Sequence, residues 1–469
     1  MNQRCAVVGI GQTKHTAKRD DVSIVGMVRE AALRALADAK LEFKDIDAVV
    51  IGKAPDFFEG VVMPELWLAD ALGAAGKPMI RVHTAGSVGG STAVVGTHLI
   101  TSGVHKRVLV VAFEKQSESD AMWALSPRYP FQPPLMAGAG GYFAPLIRAY
   151  MRRSGAPVDT GIRVAVKDRL NALKNPYAHL HLPEISEASV KASPLLWDPI
   201  RYLETCPSSD GACAMVLASE GAAAGVDRPA WVHATELRTE PTMFAGRDQV
   251  NPRAGRDCAA SLFKKAKITN PRKQIDVAEL YVPFSWFEPM WLENLGFCAE
   301  GEGHRLTMEG VTEMTGDLPI NPSGGVLSTN PIGASGMIRF AEAALQVRGR
   351  AGDHQIDGAK LAVGHAYGGA SQFFAMWLVG SERPLGERPN PCKPTSPICS
   401  RASPTPSPTA SRWWQATIAT PSPTSTRAPI DWPTRWRAGV WAPGRTSACI
   451  STTAPSSSSR CSRASSCAR

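Results

Sequence analysis

Apolar positions along residues 1–380 alternate between two periods. Ala6–Gly11, Ala48–Gly52, Met79–His83 and Arg107–Phe113 are short runs rich in Val and Ile, and each is predicted to be a strand. Between them, Val25, Val28, Ala32 and Leu36 recur at helical spacing, so Val22–Lys40 is predicted to be a helix capped by Ser23. Val88–Ser102 is a second helical stretch, and Cys213–Ser219 returns to strand. The order then repeats. Trp231–Leu237 and Val277–Pro283 are predicted strands, and Asn251–Ala266 and Ala334–Val347 are predicted helices. Leu361–Gly364 and Gln372–Val379 close the plan as an antiparallel pair. Strands that alternate with helices indicate an α/β layered protein, and the repeat divides the body into halves at 1–222 and 223–380. Residues 120–205, rich in Pro, Tyr and Arg, break the pattern and are expected to form an inserted loop region over the substrate.

From about Ser381 the pattern ends and the composition turns to Pro, Ser, Thr, Arg and Trp. A disordered linker accounts poorly for Trp413, Trp414, Trp432, Trp436 and Trp441, because disordered segments are poor in aromatics. We read 381–469 as an unstructured, out-of-frame translation. Back-translated and read from the third base of each codon, Cys449–Arg469 permits HLYNRAEFLESMFACFKLR. The hidden frame resembles the start of an acyl-CoA synthetase. Sequencing that DNA and finding no such frame would reject this reading.

The tail also carries the charge. It holds twelve of the 51 basic residues and three of the 42 acidic ones, so the net +9 belongs to it and the body is neutral. A nucleic-acid partner therefore has little support. Cys5, Cys206, Cys213, Cys258 and Cys298 are widely spaced in the body, which argues against a disulfide framework or a zinc site. No signal peptide or membrane span is read, and a cytoplasmic location is expected.

Five segments carry candidate chemistry. NPSGGVLSTNPIGASG, Asn321–Gly336, resembles the C-terminal signature of the thiolase superfamily, with Asn330 where that family has histidine. HTAGSVGGSTAV, His83–Val94, resembles its Cys-x-x-Gly-x-x-Ala turn, with Ser87 in the cysteine's place and Gly90 and Ala93 matching. ELYVPFSWFE, Glu279–Glu288, puts Tyr281 at the first position of a His-Asp-Cys-Phe-Ser segment, and Phe284 and Ser285 match. GHAYGGASQ, Gly364–Gln372, shares His365 and Gly368 with the His-Asn-x-Gly of the lipid-transfer branch. CPSSDGACAM, Cys206–Met215, resembles the Asp-Gly-Ala lead into a core strand.

The resemblance covers about residues 4–380 and is to bacterial lipid-transfer-protein-type members of that superfamily. It implies a duplicated fold of two βαβαβαββ halves layered α/β/α/β/α, a homodimer, and a coenzyme A thioester as substrate with no permanently bound cofactor or metal. It also implies site residues. Ser87 is a nucleophile, a hydrogen-bond donor to substrate, or only a helix cap. Tyr281 is an acid/base or a half-buried aromatic. His365 is the best-placed general acid/base by its ordinary pKa, or a structural histidine, as a lone one commonly is. Asn330 can donate to a thioester oxygen but cannot titrate. Gly90, Gly368, Gly369, Asn321, Gly324 and Gly325 are expected to shape turns or an oxyanion site. Cys206 and Cys213 are nucleophile candidates or inert packing thiols. VVGIGQT, Val7–Thr13, is read as a turn rather than a dinucleotide loop.

With the cysteine and histidine replaced, ordinary thiolysis lacks its nucleophile and base. The expected activity is retro-aldol cleavage of an acyl-CoA in lipid or sterol side-chain catabolism. Family members of that kind use an OB-fold/zinc-ribbon partner. The rivals are a non-catalytic acyl-CoA- or sterol-binding subunit and a serine-dependent acyltransferase.

Overall fold

The computed structural model describes residues 3–54, 63–118, 138–241 and 246–384. The reading of the tail beyond Arg383 and Pro384 lies outside them. In chain order the strands are β1 (Cys5–Gln12), β2 (Ala48–Lys53), β3 (Met79–Val82), β4 (Arg107–Lys115), β5 (Leu195–Trp197), β6 (Ile200–Arg201), β7 (Asp210–Ser219), β8 (Ala230–Thr239), β9 (Val277–Glu279), β10 (Leu361–Gly368) and β11 (Phe373–Gly380). The helices of the first half are α1 (Ile24–Ala39), α2 (Glu65–Leu68) and α3 (Val88–Thr101), followed by α4 (Gly138–Ser154), α5 (Asp159–Ala172) and α6 (Glu187–Ala192). Those of the second are α7 (Arg253–Lys265), α8 (Pro271–Gln274), α9 (Phe287–Asn294), α10 (Gly303–Met308), α11 (Gly325–Ser328) and α12 (Ile332–Arg348).

The strand order β3-β2-β4-β7-β1-β8-β11-β10-β9 shows the duplication. Outward from the centre, β1-β7-β4-β2 has the same neighbours and senses as β8-β11-β10-β9: antiparallel, antiparallel, then parallel. Among the described residues, the strands of the two halves pair with each other where Ala6 meets Trp231 and Val7 meets Ala230. The counterpart of β3 is reduced to one parallel bridge, Ala278 to Ile320. The predicted strand Val277–Pro283 accordingly ends at Glu279. Beyond it, the chain must turn away to carry Tyr281.

Helix α1 forms as its pattern predicts. Ser23 Oγ accepts the Gly26 N–H at 3.2 Å, and Met27, Val28, Ala31, Ala35 and Leu36 are buried against β1, β4 and β7. Such a cap contributes about 1 kcal/mol. Helix α7 covers β8 and β11 in the same manner.

The middle layer is α3 with α12, and the sequence explains its depth. A Cβ at Gly90 would lie 2.7 Å from that of Ala366 on β10, while one at Gly96 would strike Val110 on β4. Helix α3 therefore lies between the two halves of the sheet, at a distance only small residues permit. Helix α12 is buried on nearly every side. The layers are α/β/α/β/α.

The expected loop region differs from the prediction. Residues 138–205 are mostly helical, in α4, α5 and α6, and end in the short β5–β6 hairpin and a single helical turn. Helix α5 buries Lys167, Asp168, Arg169 and Asn171, so this segment is a packed part of the body. Residues 119–137 lie outside the described set.

Candidate active site

The turn Thr84–Ala85–Gly86 enters α3, and Ala85 takes a left-handed φ of 50° there. Ser87 follows as the N-cap, but its side chain does not cap. Its hydroxyl turns back to donate to the Thr84 carbonyl at 2.8 Å and lies 2.9 Å from Thr84 Oγ1, and Thr84 Oγ1 in turn donates to Ser91. Ser87 is fully buried. Neither the side-chain cap nor an activated nucleophile matches this geometry, because the hydroxyl proton is bound to a carbonyl rather than to a base.

Gly368, at the end of β10, presses on this turn. A Cβ there would collide with the backbone nitrogens of both Gly86 and Ser87. The following residues Gly369, Ala370 and Ser371 all have positive φ, at 61°, 53° and 62°. Left-handed Ala and Ser are uncommon, and such outliers gather at functional sites. Arg247 steadies the turn by donating to the carbonyls of Ala370 and Ser371.

Tyr281 reaches the same place from the end of β9. Its phenol oxygen is 3.8 Å from where a Gly86 Cβ would stand. Leu280 N–H donates to Asn321 Oδ1 at 2.7 Å, and Trp291 Nε1 donates to the Tyr281 carbonyl at 2.8 Å. Burial raises the Tyr281 phenol well above its usual 10, and a hydrogen bond with Ser335 partly offsets this.

Asn321, Gly324 and Gly325 build the turn before α11 and are not oxyanion donors. Their N–H groups are taken by Ala278 O, Asn321 O and Ser323 Oγ. Their φ values of 53°, 89° and 61° explain why the pattern calls for Asn and Gly. Gly90 likewise serves close packing inside α3, and Gly368 and Gly369 shape the β10–β11 turn.

Asn330 stands beside Ser335. Its Oδ1 accepts from Ser335 Oγ at 2.7 Å, and its Nδ2 donates to Cys206 Sγ at 3.2 Å. Its backbone is held by Ser209 and Gln116. One Nδ2 hydrogen is left for a substrate oxygen, since an amide nitrogen carries two.

His365 requires a correction. Its ring is fully buried among Trp291, Tyr367 and Phe374, with Nδ1 accepting the Tyr281 N–H at 3.3 Å. Burial lowers its pKa to about 3. It is neutral across the physiological range and braces Tyr281 instead of titrating.

Two residues two apart on a strand share a face, and Tyr367 is the neighbour that the sequence reading passed over. Its ring meets that of Tyr281 edge to face at 5.3 Å and 89°. Burial, with Tyr281 and Cys206 nearby, holds its phenol well above the usual value. Ser335 is a further site residue for which the sequence offers no signal, and Cys206, a nucleophile candidate in the sequence, stands beside Asn330. Cys206 is not packed in a strand. It is half-buried on a loop tied to the Tyr281 segment by its N–H on the Pro283 carbonyl at 2.9 Å. Arg169 supports that loop through the carbonyls of Thr205 and Leu203. Cys213, by contrast, is fully buried within β7.

The site is recognised by chemistry, not by cavity size. One open groove, about 660 Å³, is lined by Arg256, Phe263, Lys264 and Leu295 on outer helices and holds none of these residues. Among the described residues, no cluster of three His, Cys, Asp or Glu side chains is placed to hold a metal, and no helix is long and apolar enough to cross a membrane.

Comparison with known proteins places the chain in a family. Residues 237–380 match a family model described as thiolase C-terminal domain-like. An acetyl-CoA acetyltransferase of Methanothermobacter thermautotrophicus is 33% identical over 380 residues, covering 78% of this chain and 96% of that protein. Human sterol carrier protein 2 is 30% identical over 395 residues, covering 78% of this chain and 70% of that protein. Among solved structures, the Ltp2-ChsH2(DUF35) aldolase superposes with a TM-score of 0.70 at 26% identity, covering 81% of this chain and 98% of that one.

Proposed function

This chain belongs to the thiolase superfamily, among its sterol-carrier-like members, and on that premise we propose that it is an enzyme that cleaves a carbon–carbon bond of a β-hydroxyacyl-CoA thioester by a retro-aldol reaction. The observation that carries this is the pair of buried phenols, Tyr281 and Tyr367, at the turn where a thiolase nucleophile would stand. The aldolase named among the similar structures supports the same reading.

Retro-aldol chemistry needs no acyl-enzyme. The β-hydroxyl proton passes to one tyrosine, in its phenolate form, as the bond between Cα and Cβ breaks. The bonding electrons move into the thioester enolate, and Cβ leaves as a ketone or aldehyde. The other tyrosine, as its phenol, gives a proton to Cα and is reprotonated from the first, so a shortened acyl-CoA is released and both tyrosines return to their starting protonation states. The free Nδ2 hydrogen of Asn330 and the positive end of α3 stabilise the enolate oxygen. Ser87 takes no covalent part.

The same reading includes a homodimer. Strand β3 lies at the edge of the sheet, and Ile80, Leu66 and Trp67 on and beside it are exposed, the last two by more than two-thirds. It also includes a small partner protein, for which the two-component name of the aldolase is the support.

The absence of an acyl-enzyme is the testable consequence. Intact mass after incubation with an acyl-CoA should be unchanged. An added acyl group mapped to Ser87 would overturn the proposal in favour of acyl transfer.

A further inference from the structure

Helix α7 and the turn after it concentrate positive charge in a body whose net charge is zero. Residues 253–273 hold seven basic residues and one acidic one. These cations divide by face. On one side Arg253 pairs with Asp257 at 3.3 Å and Lys265 with Glu236 at 2.9 Å. On the other, Arg256, Lys264 and Lys267 are exposed, and among the described residues no carboxylate pairs with them. Arg256 reaches only a carbonyl, that of Asn251 at 3.3 Å. These three line the open groove of about 660 Å³ between α7 and the end of α9. Phe263 and Leu295 line it too and are buried, so its apolar floor is recessed and the cations stand at the rim. Glu293 also borders the groove, but its Oε1 accepts from the Tyr150 hydroxyl at 2.8 Å and from the Gly303 N–H at 2.9 Å, which turns it inward.

Helix stability does not account for this charge. Lys264 lies in the last turn of α7, where a cation complements the helix dipole. Arg256 lies in the first turn, where a cation opposes it, and Lys267 lies beyond the end. We infer that the groove docks an acidic amphipathic helix of a partner protein. A small anion is ordinarily enclosed on most sides, and this groove is open. A lipid surface takes up apolar groups that protrude, and here they are recessed. A helix laid along α7 satisfies both features. From Arg256 to Lys264 is about 12 Å, or roughly two helical turns. Apolar residues of the guest at helical spacing would descend onto Phe263 and Leu295, and carboxylates beside them would face the three cations. No residue of the candidate active site lines the groove, so this docking stands apart from the retro-aldol reading.

The test needs no substrate. The full chain would be titrated, by fluorescence anisotropy, with a labelled peptide of about sixteen residues that carries leucine at helical spacing and glutamate between. Two relatives control it, one with serine for leucine and one with glutamine for glutamate. Each should bind about tenfold more weakly, because each lacks one of the two features. Lys264→Gln with Lys267→Gln should also weaken binding about tenfold, whereas Arg253→Gln with Lys265→Gln, an equal change of charge outside the groove, should change it less than about twofold. Ala260 lines the groove and is exposed, so Ala260→Trp fills it without entering the core. That variant should lose binding about tenfold with its unfolding midpoint unchanged. A peptide that binds no tighter than its serine relative, or that loses as much to the second pair of substitutions as to the first, would overturn the inference in favour of diffuse charge attraction. The absence of saturable binding would also overturn it. Capture of the chain by phosphatidylglycerol vesicles in preference to the peptide, lost in Lys264→Gln with Lys267→Gln, would overturn it in favour of a lipid surface.

Discussion

The rings of Tyr281 and Tyr367 meet edge to face at 5.3 Å, each arriving from the end of a different strand of the second half. Every contact that fixes them is internal to the protein, so the pair is set before substrate binds. Removing either hydroxyl should therefore act on the chemical step. Tyr281→Phe and Tyr367→Phe are each expected to lower kcat about 10²- to 10⁴-fold with little change in KM. The double variant should be scarcely worse than either single one, because the two phenols serve one proton path. Steady-state kinetics on a β-hydroxyacyl-CoA checks this.

The pH profile separates tyrosine from histidine. Both phenols are raised by burial and are neutral at pH 7. The ionised form of a base grows with pH, so kcat/KM should rise from neutral into the alkaline range. No limb should appear near 6.5, because His365 lies at about 3. A limb near 6.5 that vanishes in His365→Asn would return the base role to the histidine.

That histidine does bear on stability. His365 and His15 are fully buried, with pKa values lowered by burial to about 3. Below the unfolded value of about 6.5 the unfolded chain takes up protons that the native state refuses. Stability is thus complete above pH 6.5 and lost as pH falls towards 3, by about 1.4 kcal/mol per pH unit for each histidine. Denaturant unfolding of His365→Asn between pH 6.5 and 4 should show a shallower dependence than the parent.

Much of this fold was legible in the sequence because strands and helices advertise their period. The helix from Ile24 to Ala39 follows its cap and its apolar stripe. The segment from Gly138 to Ala172 did not, because α5 buries charges. Lys167 lies between Glu288 at 2.5 Å and Asp168 at 3.2 Å, so a polar face there points inward. The site was legible in part for a similar reason. Tyr281, Asn330 and Ser87 stand where a family pattern places chemistry, but pattern alone gives no burial. It could not show that His365 faces an aromatic cluster, that Ser87 is bound to its own turn, or that Tyr367 and Cys206 complete the group.

The buried ions give a direct stability prediction. Lys167→Met leaves Glu288 and Asp168 without their cation in a dry interior. The expected loss is ~3–5 kcal/mol by equilibrium denaturation, unless the carboxylates take up protons and recover part of it.

The sheet edge can be tested independently of the chemistry. Ile80→Lys places a charge on exposed β3. Sedimentation should show a dimer for the parent and a monomer for the variant, with the unfolding midpoint of the monomer independent of the charge's identity. A parent that sediments as a monomer contradicts the dimer.

The most direct test of the central claim is product analysis. The full chain, with and without a candidate OB-fold/zinc-ribbon partner, would be incubated with β-hydroxyacyl-CoA and with β-ketoacyl-CoA plus free CoA, and the products followed by mass spectrometry. A shortened acyl-CoA with an equal amount of ketone or aldehyde from the hydroxy ester, and no transfer from the keto ester, is the predicted result. Acyl transfer from the keto ester to CoA would contradict it and show thiolysis at a site without its cysteine. Both esters recovered intact, with one retained on the protein, would contradict it in favour of a binding subunit.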